Sequence, residues 1–512
     1  MKDTTANSIS EGKSPTLTPT AAPTDTIARR SVQSYIDETP DWADCTGVSR
    51  APMTRMQWRI WGLATAGKFF EGLVVFMTGV ALPLIMEEFA LGAAQKGVVG
   101  ASVLFGILIG ATVLGGLADN FGRKRMFIVE MVIFTVFVIL LTLSQSYLWL
   151  VVCLFGMGGA LGCDYPTAHL VISESIPSRD RGKLVLSAFA FQAIGALTGM
   201  FVGYLILYEN PSIGAWRWMY ATAIIPAILV IIGRFFICDS PHWLVSRGRI
   251  QEAEQEIMRL LGREPQYPKQ VYLADPYADS RSSENQGPKG GYGDLFSKKN
   301  FRATVFASVP WFLSDLGTYG IGIFTPTILA EALGHQSHSA RNLADIIHND
   351  LLAAKGAMML DVLLIVGIIF AVLLADRAGR VRLQIAGFIG CAVGLALAAL
   401  SLNFSGAHQM ILLFCGFMLF NFMTNMGPNA QTYLLSGEVF PTHIRGKGAG
   451  FAASFAKIGA VTTAFLFPIL LKDIGTQTLL AILVCTSVAG ALITWFFRIE
   501  TTGVNLEEIG KS

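Results

Sequence analysis

The sequence predicts an all-α integral membrane protein of twelve transmembrane helices, arranged as two pseudo-symmetric six-helix bundles. Three observations carry that expectation. Of the 512 residues, 53% are hydrophobic and only 14% are charged, and the mean hydropathy is +0.53. Globular domains carry roughly 25% charged residues because their surface meets water, so a chain this poor in charge must hide most of its surface in lipid. Apolar runs of about 20 residues, each long enough to cross about 30 Å of hydrocarbon as a helix, recur along the chain. Two loop motifs also occur twice, in the same order and at equivalent places, which marks a duplicated unit.

Residues 1–57 are rich in Ser, Thr, Pro and Ala, lack an apolar signal-peptide core, and read as a disordered tail. Spans then begin near Trp58, Lys96, Met126, Tyr147, Lys183 and Trp216, which defines an N-terminal bundle over 58–238. Residues 239–302 are polar. Trp243 to Leu261 alternates apolar and charged residues at helical spacing, predicting one amphipathic helix on the membrane surface, and the stretch around Asp275 to Tyr292 has linker composition. Spans resume near Ala303, Leu351, Val381, His408, Gly446 and Gln477, giving a C-terminal bundle over 303–498 and a tail over 499–512. Lys and Arg gather in one set of short loops, at Arg123, Lys124 and Arg125, at Arg179, Arg181 and Lys183, at Arg377, Arg380 and Arg382, and at Arg445 and Lys447. The loops around Glu87, Glu209, His335, Ser405 and Asp473 are poor in them. The positive-inside rule therefore places both termini and the central loop in the cytoplasm, below an inner or plasma membrane.

Composition also narrows function. A formal net charge of +2, with no basic run interleaved with aromatics, argues against a nucleic-acid partner and leaves the lipid bilayer as the main one. The seven cysteines show no paired spacing, and His335, His338 and His348, expected in an external loop, have no carboxylate or cysteine to complete a metal set. No cofactor is expected. No GxxxxGK[ST] supports ATP-driven transport, and no nucleophile–base set supports an enzyme. A receptor that binds without transporting is a further reading, but the central loop holds no signalling motif.

The repeat consists of LADNFGRKR at Leu117 to Arg125 against LADRAGRVR at Leu374 to Arg382, and SESIPSRDRGK at Ser173 to Lys183 against GEVFPTHIRGK at Gly437 to Lys447. Two such halves facing each other build a transporter whose substrate site lies at their interface near the midplane. Carboxylates and arginines in these loops can pair to lock one face shut. The gating candidates are Asp119, Arg123, Arg125, Glu174 and Arg181 in the first half, and Asp376, Arg380, Glu438 and Arg445 in the second.

An ionised group at the bilayer centre costs roughly 2.5–3.5 kcal/mol on insertion scales, so Lys68, Glu71, Asp164, Asp315, Asp361 and Lys457 need an explanation. Lys457 sits about eleven residues into its helix, roughly 16 Å from the cytoplasmic end, too deep for comfortable snorkelling. It is the candidate cation for an anionic substrate. Asp315 lies one turn from Trp311 and from Tyr319, so the three share a face, and it is the candidate proton carrier, a role Asp164 can share. The plainer alternative is that such charges only pair across or along helices, as Lys68 with Glu71 at i,i+3. His169 suits either a selectivity role or a satisfied buried histidine, and Asp361 has no recognisable partner pattern.

The loop GGLADNFGRKR resembles the hallmark of the major facilitator superfamily, and the likeness runs from Trp58 to Phe497. Within it, GCDYPTAHLVISE at Gly162 to Glu174, MGPNAQTYLLSGEVFPT at Met426 to Thr442, and Trp311, Asp315 and Tyr319 as W-x-x-x-D-x-x-x-Y are similar to segments of phosphate:proton symporters. The resemblance implies a substrate site of Asp164, Tyr165, Gln192, Trp311, Asp315, Tyr319, Asn429 and Lys457, with Glu71, Asp164 and Asp315 coupling protons. It implies a monomer that carries a small anion such as inorganic phosphate together with protons, by alternating access. Five positions depart from that family. Glu71 and Val74 stand where it has two aspartates, Leu154 replaces an arginine, His169 replaces a small residue, and Lys68 is additional. These departures favour the alternative of an organic acid or other small metabolite.

Overall fold

The computed structural model describes residues 30–38, 52–114, 117–262, 270–273, 292–334, 343–441 and 444–501. After a short helix α1 (Val32–Asp37), the first half comprises α2 (Arg55–Phe89), α3 (Ala93–Ile109), the single turn α4 (Leu117–Phe121), α5 (Arg123–Thr142), α6 (Tyr147–Ser175) and α7 (Ser178–Glu209). Its last span is in two pieces, α8 (Ala215–Ala221) and α9 (Ile224–Phe235), and α10 (Pro241–Ser246) and α11 (Ile250–Leu261) follow. The second half comprises α12 (Phe301–Gly334), α13 (Leu343–Ala378), α14 (Arg380–Ser401), the broken span α15 (Ala407–Met426) and α16 (Pro428–Ser436), and α17 (Arg445–Phe497).

Ten segments among the described residues are long and apolar enough to cross a bilayer. One of them, Lys447–Phe497, holds two spans, because Gly475 leaves helical geometry at φ 77°. The twelfth span is α12, whose apolar run is interrupted by Ser314, Asp315 and Thr318, all buried. Helices are the required solution here, since hydrocarbon offers no partner to a free backbone N–H or C=O. Local chemistry marks their ends. Thr54 and Gln57 form a reciprocal capping box that starts α2, and the Ser146 hydroxyl accepts from Trp149 N to start α6.

The two halves repeat one packing plan. The second span lies on the fourth in each, α3 on α6 and α13 on α15, and the third lies on the fourth, α5 on α6 and α14 on α15. Across the middle, α2 meets α12, α3 meets α17, and α7 meets α13. The second span of each half therefore rests on the fifth span of the other, and the interface so formed surrounds α2 and α12.

Some features differ from expectation. Residues expected to belong to a disordered tail include α1, in which Val32, Tyr35 and Ile36 recur at helical spacing and are buried, the helix packing on α7 and α11. The amphipathic segment is two helices, because Gly248 at φ 72° turns the chain between them. Both pack onto the first half through Trp243, Leu244, Ala253 and Ile257. His348, expected in a loop, lies on α13, while His335 and His338 fall outside the described residues.

Candidate functional site

The site begins with α2, which carries Lys68 and Glu71 one turn apart, bonded to each other at 2.8 Å. A residue pair on one helix would be a local matter, but Glu71 has further partners in the other half. Its Oε1 lies 3.2 Å from Lys457 Nζ on α17 and accepts from the Tyr319 hydroxyl of α12 at 2.9 Å. Lys457 also donates to the Tyr319 oxygen, sits 4.4 Å from the centre of that ring, and lies 3.7 Å from Asp315 Oδ2. Gln192 on α7 donates to the Tyr319 oxygen at 3.1 Å. Glu71, Asp315 and Lys457 are 3%, 1% and 6% exposed, so this is a buried network in which two lysines face two carboxylates and bridge the halves.

Aromatic rings cover it toward the Arg- and Lys-rich loops. Tyr433 of α16 stacks on Phe189 of α7 at 4.8 Å and meets Trp311 and His169 edge-on at 6.1 and 6.4 Å. A cavity of about 20 Å³, room for a water molecule or two, remains among Lys68, Glu71, Asp164, His169 and Tyr433. On the opposite side the backbones of α2 and α12 touch, so that a Cβ on Gly79 would sit 2.4 Å from Ile323 O, and Phe324 stacks on Phe467 at 4.8 Å.

The expected substrate and proton residues do not form one cluster. Glu71, Gln192, Trp311, Asp315, Tyr319 and Lys457 converge, with Lys68. Asp164 borders the same small cavity, but its ion pair is with Arg234 of α9, at 2.7 Å. Arg234 is fully buried, lies 3.5 Å from Glu130 of α5, donates to the carbonyls of Phe127 and Leu63, and stacks on the Phe127 ring. Gly67 makes room for this group, since a Cβ there would meet Asp164 Oδ2 at 1.6 Å. Asn429 opens α16 just past the break at Gly427 and faces a second cavity beside Gln192. Asp361 is buried on α13 with one weak hydrogen bond, from Asn421 at 3.4 Å.

The loop residues pair within each half. Arg123 lies 3.3 Å from Glu174, and Arg380 is ion-paired with Glu438. Each arginine opens its helix after a glycine of positive φ, 101° at Gly122 and 86° at Gly379, a conformation that side chains strain to adopt. Each glutamate also accepts from a hydroxyl that follows the last span of its half, Ser240 or Thr501, the latter at 2.7 Å. Burial holds the imidazole of His242, close to Glu174, below the ordinary histidine range. Arg181 is engaged by Gln33 of α1 at 3.1 Å, and Arg125 is exposed. The side chains of Asp119, Tyr165, Asp376 and Arg445 lie outside the described residues.

Sequence reasoning missed Arg234, Glu130, Phe189, Tyr433 and the hydroxyls. Arg234 and Glu130 carry a signal of their own, as charges inside apolar runs. Ser240 and Thr501 each follow a carboxylate at matching places in the repeat, Asp239 and Glu500. Phe189 and Tyr433 have no such signal in chains this rich in aromatics.

Comparison with known proteins adds to this geometry. The sequence profile of a family described as "Sugar (and other) transporter" matches residues 61–512. The inner membrane metabolite transport protein YgcS of Escherichia coli (strain K12) is 29% identical over 468 residues, 90% of this chain and 95% of that protein. A Schizosaccharomyces pombe protein named as a candidate inorganic phosphate transporter is 26% identical, over 90% of this chain and 89% of its own. A partially occluded inward open conformation of the xylose transporter XylE from E. coli superposes with a TM-score of 0.70 at 19% identity, covering 88% of this chain and 100% of that one. That likeness shows a shared helical fold.

Proposed function

The chain belongs to the sugar (and other) transporter family, with the all-helical major facilitator fold, and from that premise we propose that it couples a small anion to protons by alternating access. It is a secondary transporter and not an enzyme. The observation that carries the coupling is the charge balance of the central network. Lys68 and Lys457 offset Glu71 and Asp315, so with all four groups ionised this network carries no net charge. Adding one proton to a carboxylate leaves a net positive charge in a dry interface, and a monovalent anion restores neutrality. Proton and anion thus stabilise each other's binding, which is the thermodynamic content of symport.

The network also joins α2 to α12 and α17, so its rearrangement on loading bears on the relative motion of the halves. On this reading Lys457 receives the anion, Asp315 and Glu71 exchange the proton, and the loop pairs Arg123–Glu174 and Arg380–Glu438 hold the basic-face loops, placed in the cytoplasm with both termini. Inorganic phosphate is favoured by the motif around Asp164 and by the phosphate-named relative. An organic acid is favoured by Val74, Leu154 and Lys68, where the phosphate pattern fails.

The test is uptake into proteoliposomes under an imposed pH gradient, with phosphate and a panel of carboxylates, and with Lys457→Ala and Asp315→Asn in parallel. Accumulation that needs the gradient and is lost in both variants is expected. Wild-type transport by both variants would show that the central network is not the site.

A further inference from the structure

We infer, resting on the reading of the site as one for an anion and a proton, that the substrate is a hydroxylated carboxylate of the sugar-acid kind, recognised through its hydroxyl groups as well as its charge. The ground is the forced orientation of two amides. Asn425 donates through Nδ2 to the Leu364 carbonyl at 3.0 Å, and a carbonyl can only accept, so Asn425 must turn its oxygen away. That oxygen accepts from Asn429 Nδ2 at 2.8 Å, which in turn leaves Asn429 Oδ1 over. A second relay starts from a carboxylate. Glu71 Oε1 accepts a hydrogen bond from the Tyr319 hydroxyl, the Tyr319 oxygen then accepts from Gln192 Nε2 at 3.1 Å, and Gln192 Oε1 is left over.

Asn429 and Gln192 line one cavity, together with Thr318 and an apolar wall of Phe76, Leu364 and Ile368. Neither leftover oxygen accepts a hydrogen bond among the described residues, and both side chains line the cavity. Two fixed acceptors repel a carboxylate, which offers only acceptors, and they suit a group that brings O–H donors. The apolar wall suits the C–H faces between such hydroxyls. Phe189 borders both this cavity and the one holding Lys68 and Glu71, so the neutral and charged subsites adjoin. One molecule spanning them carries a charged end and a hydroxylated body. Inorganic phosphate has no C–H face to offer the apolar wall, and a neutral sugar leaves the protonated network uncompensated.

The experiment is calorimetric titration of the purified full-length protein with D-gluconate, hexanoate, D-glucose and inorganic phosphate. Proton uptake driven by gluconate is followed in parallel with a pH dye trapped in proteoliposomes. Gluconate is expected to bind at least tenfold more tightly than each of the others and to carry protons inward. Gln192→Met and Asn429→Leu are each expected to weaken gluconate at least about tenfold and to leave hexanoate within twofold, a split that general misfolding would not produce. Hexanoate or phosphate binding as well as gluconate, with proton uptake, overturns the hydroxyl inference and leaves the anion reading standing. Glucose matching gluconate, with no proton uptake, overturns both. Failure of all four to bind overturns the sugar-acid class.

Discussion

The two halves keep the same outside and differ inside. On the basic face each half places a glycine of positive φ before an arginine, pairs that arginine with a glutamate at the end of the fourth span, and ties the glutamate to a hydroxyl after the sixth. In the interior the first half directs Arg234 inward, where it binds Asp164 and lies near Glu130 on the same side of the interface. The second half has no counterpart among the described residues. It projects Lys457, Asp315 and Tyr319 toward its neighbour, and it breaks its fourth span at Gly427 so that Asn425 and Asn429 flank the gap. A duplicated scaffold that must close and open needs its loop braces in both copies. A binding site needs to be built once, so the interior is free to diverge.

That contrast can be broken at several points. The largest effect on stability is expected from Arg234→Met, which leaves Asp164 and Glu130 in a dry interior without their cation. Loss of a buried pair by removing one partner costs about 3–5 kcal/mol, and the unfolding midpoint in detergent should fall accordingly. Restoring neutrality with Asp164→Asn and Glu130→Gln should recover most of it. An unchanged midpoint in Arg234→Met would mean that the cluster does not brace the first half.

Lys457→Ala should act the other way round, with a loss of stability at the lower end of the same range, about 3 kcal/mol, because Asp315 loses its ion pair while Glu71 keeps Lys68 as its partner. Transport should fall by roughly 100-fold or more, since this lysine is the anion's charge partner. Comparing midpoint and uptake for the two variants separates the bracing cluster from the bridging one. Tyr433→Ala removes the ring that stacks on Phe189 and should raise labelling of a cysteine placed at Gln192, by a membrane-impermeant thiol reagent applied from the basic face, several-fold. Equal labelling with and without Tyr433 would exclude it as a cover. The smallest effects belong to the loop braces. Arg123→Gln and Arg380→Gln each break a largely buried pair whose glutamate keeps a hydroxyl donor, at a cost of about 1.5 kcal/mol, and the repeat predicts similar shifts in both. A shift in only one would show that the halves do not share the brace equally.

Much of this was legible from the residues alone. Span positions, the twelve-helix count, the internal repeat and the face carrying basic loops follow from hydropathy, length and charge, which are properties of short stretches of chain. The unusual depth of Lys457, Asp315 and Glu71 was legible for the same reason, because a charge in an apolar run stands out wherever the helix packs. Gly122 and Gly379 were also visible, as matching positions in a duplicated loop.

Partnership was decided only by tertiary structure. Glu71 could be read as the mate of Lys68, three residues away, yet it also bonds Lys457, 386 residues on, because α2 and α17 face each other across the interface. Asp164 shares the motif that suggests a substrate role, but packing turns α9 so that Arg234 reaches it first. The free oxygens of Gln192 and Asn429 depend on a carboxylate and a carbonyl supplied by other helices. Sequence periodicity states how deep a polar group lies and which face it shares. Which group it meets there depends on how helices rotate and dock, and that is set by the packing of the whole bundle.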